Sequence, residues 1–182
     1  MSQDSVLVRK EGGICTVTLN RPERRNAFAP EMMHRLGDVI HSIDHDGETR
    51  VVVLRGAGRQ AFSSGRDIEG FKSEPTVADE AASTAIESCP CPVLAMIYGY
   101  AIGGGLVLAL GCDMRIAADN AKVGMTTVKI GTLSGIGGLE RLINVVGLAV
   151  ATRILYTGRL FDSNAALAMG LVDQIARVDE LE

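Results

Sequence analysis

The sequence has no tryptophan and only 4% aromatic residues, so aliphatic side chains must fill its core. It also lacks a basic excess. Its 18 Lys and Arg against 22 Asp and Glu leave a net charge of −4, which argues against a nucleic-acid partner, since such a surface needs a basic stripe. The cysteines Cys15, Cys89, Cys91 and Cys112 form no C-x-x-C pair, so zinc and thioredoxin-like chemistry have no support. Cys89-Pro90-Cys91 reads as the lead-in to a strand. No apolar leader opens the chain, which makes a reduced, cytoplasmic protein the expectation. There is no internal repeat, low-complexity segment or linker, so residues 1–182 are expected to form one domain.

Val93 to Cys112 is uncharged and long enough to cross a bilayer. Its five glycines, three of them consecutive, oppose one continuous helix, and Asp113 and Arg115 follow at once. A buried strand, a glycine turn and a buried helix account for the stretch better, and no membrane span is expected.

Glycine at turns is what the chain does have. Tyr98 to Gly105 (Y-G-Y-A-I-G-G-G) joins the apolar strand Val93 to Ile97 to Leu106 to Leu110, the first turns of a predicted helix. Consecutive glycines carry a high entropic cost. In return they leave backbone N–H groups unobstructed at a helix start, where partial positive charge attracts anions. The anion is either a phosphate or an oxyanion that forms only during a reaction. Ser64-Gly65-Arg66-Asp67-Ile68 reads as a second helix start after a glycine turn. Two N–H groups from two such starts can grip one carbonyl oxygen; two tight turns that merely need glycine fit the spacing equally well.

Other constellations are weaker. Gly56-Ala57-Gly58-Arg59-Gln60-Ala61 fits the G-x-G-x-x-G/A dinucleotide pattern. Phe62 to Gly65 continues the loop where a long helix should begin, and no second strand ends in an acidic residue about 20 positions on. An NAD-dependent oxidoreductase is therefore only a minor alternative. His34, His41 and His45 lie on one predicted helix, with His41 and His45 at i, i+4, yet no separate third ligand is evident and no metal site is expected. Ser64 and Ser134 lack a G-x-S-x-G elbow, which leaves a serine-hydrolase triad with little support.

The element pattern is α/β. Val6 to Val8 and Ile14 to Leu19 flank Gly12-Gly13 as a hairpin. Pro30 opens an amphipathic helix through Met32, Leu36, Val39, Ile40 and Ile43. Val51 to Leu54 is a strand, Gly56 to Gly65 a loop, and Asp67 caps a short helix containing Ile68 and Phe71. Thr76 to Ser88 is a helix; Met114 to Ala118 and Lys122 to Gly124 are short strands. Thr126 to Gly138 reads as a loop, followed by helices at Gly138 to Val146 and Ala149 to Tyr156. Asp162 caps a helix that Gly170 stops, and Leu171 to Val178 is extended.

Read in order, these residues resemble the enoyl-CoA hydratase/isomerase (crotonase) family. The matching motifs are Thr18-Leu19-Asn20-Arg21-Pro22 with Asn26-Ala27-Phe28, Ala61 to Ile68 (A-F-S-S-G-R-D-I), and Pro92-Val93 with Gly99 to Gly105. Cys112 to Ala117 (C-D-M-R-I-A), Gly131-Thr132-Leu133, Gly137-Gly138 and Arg141-Leu142 complete them. The resemblance covers nearly the whole chain. It implies a ββα spiral (superhelix) and an acyl-CoA thioester substrate, with no permanently bound cofactor and coenzyme A arriving as part of the substrate. By position it implies that the backbone N–H groups of Arg66 and Gly104 form an oxyanion hole for a thioester enolate. The segment Arg24-Arg25-Asn26-Ala27 would line the nucleotide and pantetheine of coenzyme A, the two arginines either touching phosphates or facing solvent. Ser64, Asp67 and Ile68 would flank adenine and pantetheine, and Gly103 and Thr126 would border the same site. A homo-oligomer, a trimer or dimer of trimers, is implied as well.

Two positions depart from the family pattern. Hydratases of the family place one glutamate shortly after the glycine triplet and another in the loop after the Gly124 strand; here those positions hold Val107 and Thr127. A valine transfers no protons, and a threonine hydroxyl orients water but is a poor base. Glu69, Asp79, Glu80 and Glu87 are the acids to inspect as substitutes. Family members also continue into C-terminal helices that pack the trimer, and the expectation is that this segment is absent from residues 1–182.

Overall fold

The computed structural model describes residues 4–43, 46–67 and 77–181. The chain opens with β1 (Val6–Glu11) and β2 (Ile14–Leu19), paired antiparallel. The turn between them is Gly12-Gly13, both at positive φ (57° and 84°), the conformation a two-residue hairpin requires. A 3-10 turn at Pro22–Arg24 and α1 (Pro30–Ile43) follow. α1 buries Met32, Met33, Leu36, Val39, Ile40 and Ile43, the stripe that its 3.6-residue period predicts.

From there the chain repeats one pattern. β3 (Val51–Gly56), β4 (Ala61–Ser63) and α2 (Val77–Glu87) form one turn; β5 (Val93–Ile97), β6 (Tyr100–Ile102) and α3 (Gly104–Leu110) form the next. β7 (Met114–Ala118), β8 (Lys122–Gly124), a 3-10 turn at Thr127–Ile130 and α4 (Ile136–Thr157) form a third. β9 (Phe161–Asp162), α5 (Ser163–Ala168) and β10 (Gln174–Ala176) close the chain. The first strand of each turn joins a six-stranded sheet in the order β1-β2-β3-β5-β7-β10, parallel beyond the first hairpin. The second joins a four-stranded sheet, β4-β6-β8-β9. Two strands and a helix per turn, advancing one strand position each time, make the ββα spiral that the resemblance implies.

The core is aliphatic, built on alternate positions of the large sheet such as Val52, Leu54, Val93, Ala95 and Ile97, all fully buried. Each repeat must turn sharply between its two strands. At Gly99 (φ 54°) a Cβ would lie 1.9 Å from the Gln60 carbonyl oxygen, so the β5–β6 corner admits only glycine.

Three features differ from the sequence reading. The Gly56 to Gly65 loop contains β4, and the glycine turn contains β6; these strands are three residues each and show no period to read. The turn after β3 leads into β4 rather than a helix, so the dinucleotide pattern lacks its structural context. The Thr126 to Gly138 loop contains the 3-10 turn, and α4 starts at Ile136; α4 is two abutting helices that break at Gly147 (φ 74°, ψ 161°), in keeping with the two helices expected from the sequence. The predicted helix over Ile68 and Phe71 lies outside the described residues, as does His45. His41 is tied into its own helix, its Nδ1 2.8 Å from the Gly37 carbonyl oxygen. Among the described residues, no three His, Cys, Asp or Glu side chains gather as metal ligands, and no helix is long and apolar enough to cross a membrane.

Candidate active site

The site begins with a strained bend. Arg25 and Asn26 both adopt left-handed backbone (φ 52° and 53°), a conformation that costs roughly 1–2 kcal/mol per non-glycine residue. The fully buried Asn26 side chain offsets that cost with three hydrogen bonds. Its Nδ2 donates to the Ala61 (2.8 Å) and Ala57 (3.1 Å) carbonyls, and its Oδ1 accepts from the Arg21 N–H (3.0 Å). Arg21 braces the bend from outside, donating to the Ala27 carbonyl (2.8 Å) and pairing with Asp67 (3.0 Å). Asp67, read as a helix cap, thus spends a carboxylate oxygen on Arg21. The bend holds Arg24, Arg25 and Ala27 on one side of a cleft, with the Arg25 guanidinium 5.9 Å from the centre of the Tyr100 ring.

Two peptide units meet at the base of that cleft. In the first, the Gly65 carbonyl accepts the Phe28 N–H at 2.7 Å. A trans peptide carries its C=O and N–H on opposite sides, so the Arg66 N–H of that unit points away from Phe28. In the second, the Gly103 carbonyl accepts the Val107 N–H at 3.0 Å as the first bond of α3. The Gly104 N–H of that unit therefore points back out of the helix start, where it has no intrahelical acceptor. The two units are neighbours: a Cβ on Gly104 would lie 3.6 Å from the Arg66 nitrogen, and one on Gly65 would lie 3.0 Å from the Gly104 nitrogen. The close approach, with a φ of 88°, explains why Gly65 is glycine; a Cβ on Gly104 would meet the Phe28 ring at 3.3 Å.

The cleft has a volume of about 560 Å³. Arg24, Arg25, Ala27 and Ser64 form one wall, with Arg66, Asp67, Gly103 and Gly104 at the base. Thr126, Thr127, Ile130 and Thr132 form the other wall. Every site residue read from the sequence lines it except Ile68, which lies outside the described residues. Arg24 and Arg25 are exposed at the rim, where a polyanion can reach them. Donors at the base and cations at the rim suit a ligand with a carbonyl at one end and phosphates at the other.

Residues 9–182 match the model of the family described as enoyl-CoA hydratase/isomerase. The chain belongs to this family. A short-chain-enoyl-CoA hydratase of Clostridium acetobutylicum is 34% identical over 188 residues, covering 100% of this chain and 72% of the relative. An (E)-benzylidenesuccinyl-CoA hydratase of Thauera aromatica is 39% identical, covering 92% of this chain and 68% of the relative. Among solved structures, an enoyl-CoA hydratase/carnithine racemase from Magnetospirillum magneticum superposes with a TM-score of 0.92 at 37% identity, over 99% of this chain and 71% of that one. A monofunctional enoyl CoA isomerase from M. smegmatis does so with a TM-score of 0.85 at 38% identity, over 98% and 80%.

Within this enoyl-CoA hydratase/isomerase chain, the two departures take definite positions. Thr127 lines the cleft, its methyl 3.9 Å from where a Cβ on Gly103 would sit. Val107 packs on α4, its methyls 3.0 and 3.3 Å from a Cβ built on Gly138. Of the substitute acids, Glu69 lies outside the described residues, as does the Asp79 side chain. Glu87 is engaged by Arg141 through two hydrogen bonds (2.6 and 2.7 Å), and Glu80 stands 3.7 Å from the same guanidinium. The bidentate Glu87 contact, with Glu80 adding charge, raises the Arg141 pKa further against the opposing effect of burial. These two acids tie α2 to α4. Replacing the buried Arg141 by Met leaves both glutamates half exposed and able to rehydrate, so the expected loss is roughly 1–3 kcal/mol, read from urea denaturation.

Two buried residues that shape the site are not singled out by the sequence: Asn26 reads only as part of the segment lining coenzyme A, and Ser63 only as part of a motif. An asparagine tolerates left-handed backbone more readily than most residues, but two of its three partners, Ala57 and Ala61, are remote in sequence and invisible there.

Proposed function

We propose that this chain is an enzyme acting on an acyl-CoA thioester through an enolate. The carbonyl oxygen lies between the N–H groups of Arg66 and Gly104, and negative charge accumulates there as the α-carbon loses a substituent or water adds at the β-carbon. The observation that carries this reading is the pair of peptide units whose carbonyls are both engaged elsewhere and whose N–H groups face one cleft. Such donors act on charge as it develops, which is why they speed a reaction rather than merely hold a ligand. Arg24, Arg25, Ala27, Ser64, Asp67 and Ile68 carry the coenzyme A portion, with the arginines on its phosphates. Gly103 and Thr126 border the thioester, and Thr127 offers a hydroxyl for orienting substrate or water. No permanent cofactor is needed, because coenzyme A comes with the substrate. The reaction class is isomerisation, decarboxylation or hydration of a specialised acyl group.

A second reading is a non-catalytic acyl-CoA-binding or assembly protein. It is favoured by Val107 and by the engagement of Glu80 and Glu87 with Arg141. Turnover of a panel of acyl-CoA thioesters separates the two readings. Turnover of any member supports the enzyme; tight binding of all with turnover of none supports the second. Titration with NAD is expected to show no binding.

We further propose a homo-oligomer, a trimer or dimer of trimers, in the cytoplasm. Leu133, Leu148 and Tyr156 are 67%, 67% and 80% exposed on and near α4, apolar side chains that a neighbouring subunit would cover. No disulfide joins the four cysteines, in keeping with a reducing compartment. Light scattering after size-exclusion chromatography should give a mass several times that of one chain. A well-behaved monomer at micromolar concentration would sink the idea.

A further inference from the structure

We propose that Ser63 is a positioning residue for the thioester site: its hydroxyl fixes the direction in which the Arg66 N–H points. The proposal rests on the reading of Arg66 and Gly104 as carbonyl donors. Ser63 ends β4 and is completely buried. Its hydroxyl does two things at once. It donates its proton to the Asn26 carbonyl (2.8 Å) and accepts the Gly65 N–H (3.0 Å).

Those two bonds join the strained Asn26 bend to the turn that precedes Arg66. Gly65 (φ 88°) has no Cβ to restrict it, so something else must hold its conformation. Its N–H is held by Ser63 and its carbonyl by Phe28, which anchors both ends of the residue. Phe28 lies just beyond Asn26, the residue that receives the Ser63 proton, so the hydroxyl also sets the position of Phe28 against Gly65. With both ends of Gly65 anchored, the Gly65–Arg66 peptide plane is fixed, and so is the Arg66 N–H.

Ser63 also touches the second donor loop. A Cβ on Gly105 would lie 2.4 Å from the Ser63 carbonyl oxygen and 2.9 Å from its Cβ, so the first turn of α3 rests directly on this residue. Ser63 thus stands between the two donor loops, its hydroxyl tied to the first and its carbonyl and Cβ against the second. Donors aimed at an oxyanion lose their effect when misplaced by about 1 Å, a shift that costs up to ~10²-fold in rate. The simpler reading is that the hydroxyl only satisfies two buried polar groups and contributes to stability.

The experiment uses para-dimethylaminocinnamoyl-CoA, whose absorption band moves to longer wavelength when its thioester carbonyl is polarised. Its spectrum and dissociation constant are recorded with the full chain, with Ser63→Ala and with Ser63→Cys, alongside thermal unfolding. The unmodified chain should give a red shift. Ser63→Ala should lose most of the shift while the dissociation constant changes by no more than about twofold, because most binding contacts lie on the coenzyme A portion. Ser63→Cys keeps a weak donor and acceptor and should recover part of it. On any thioester that is turned over, Ser63→Ala should lower kcat by roughly 10–100-fold with KM within about twofold. A full shift in Ser63→Ala with only a lowered melting temperature overturns the proposal. If Ser63→Ala does not fold, a Ser63→Cys spectrum identical to that of the unmodified chain overturns it as well. No shift with the unmodified chain means that the donor reading itself is wrong, and the proposal falls with it.

Discussion

Crotonyl-CoA incubated with this protein is expected to be hydrated very slowly or not at all. Hydration needs a group that activates water at the β-carbon and a group that delivers a proton to the α-carbon. The two positions where the family's hydratases carry those groups are Val107, packed on Gly138, and Thr127, a hydroxyl in the cleft wall. Each missing acid or base costs about 10²–10⁴-fold, and neither Glu80 nor Glu87 lines the cleft. The measurement is the loss of enoyl thioester absorbance, run beside a two-glutamate hydratase at equal concentration. Hydration within tenfold of that reference would show that another residue supplies the chemistry. The reciprocal change, Val107→Glu with Thr127→Glu, is expected to raise the rate if the chain still folds. Its risk is specific: Val107 already sits close to Gly138, and a longer, charged side chain there must displace α4 or stay uncharged.

Gly104→Pro is expected to lower turnover of any thioester substrate by roughly 10²–10³-fold while leaving the fold intact. Gly104 is the first residue of α3, where proline is tolerated because the N–H there has no helical acceptor. The substitution removes one of the two donors and nothing else from the hydrogen-bond ladder. Gly104→Ala is the companion variant. It keeps the N–H but places a methyl 3.3 Å from the Phe28 ring and 3.6 Å from the Arg66 nitrogen, beside the other proposed donor. Both variants should therefore lose the polarisation of a bound thioester, one by losing the donor and one by crowding. Far-ultraviolet circular dichroism checks the fold in each. A folded Gly104→Pro variant with full turnover would exclude Gly104 as a donor.

Much of this architecture was legible beforehand. The hairpin over Gly12-Gly13, the helix from Pro30, the strand from Val93 and the Asp162 cap, whose carboxylate accepts the Ala165 N–H at 2.9 Å, all follow from local signals. Ordinary periods and caps act over a few residues, so they survive in the sequence. The short strands β4 and β6 did not, because they lie inside glycine-rich stretches that read as turns and are held by partners elsewhere in the chain. Asp67 was read by its local capping preference, and its ion pair with Arg21 lies 46 positions away.

The sequence by itself determined where the chain turns, which residues face the core, and that the glycine triplet stands at a helix start. Those are local matters of backbone freedom and side-chain polarity. Only the tertiary structure decided that the triplet meets the Gly65 turn. The parallel pairing of β4 with β6 sets Ser63 beside Ala101 and carries Gly65 against Gly104, although about 40 residues separate them. It also decided which groups point where. The bonds from Phe28 to Gly65 and from Val107 to Gly103 turn each peptide so that its N–H faces the cleft. A peptide's direction depends on what its carbonyl meets, and that partner is chosen by the fold.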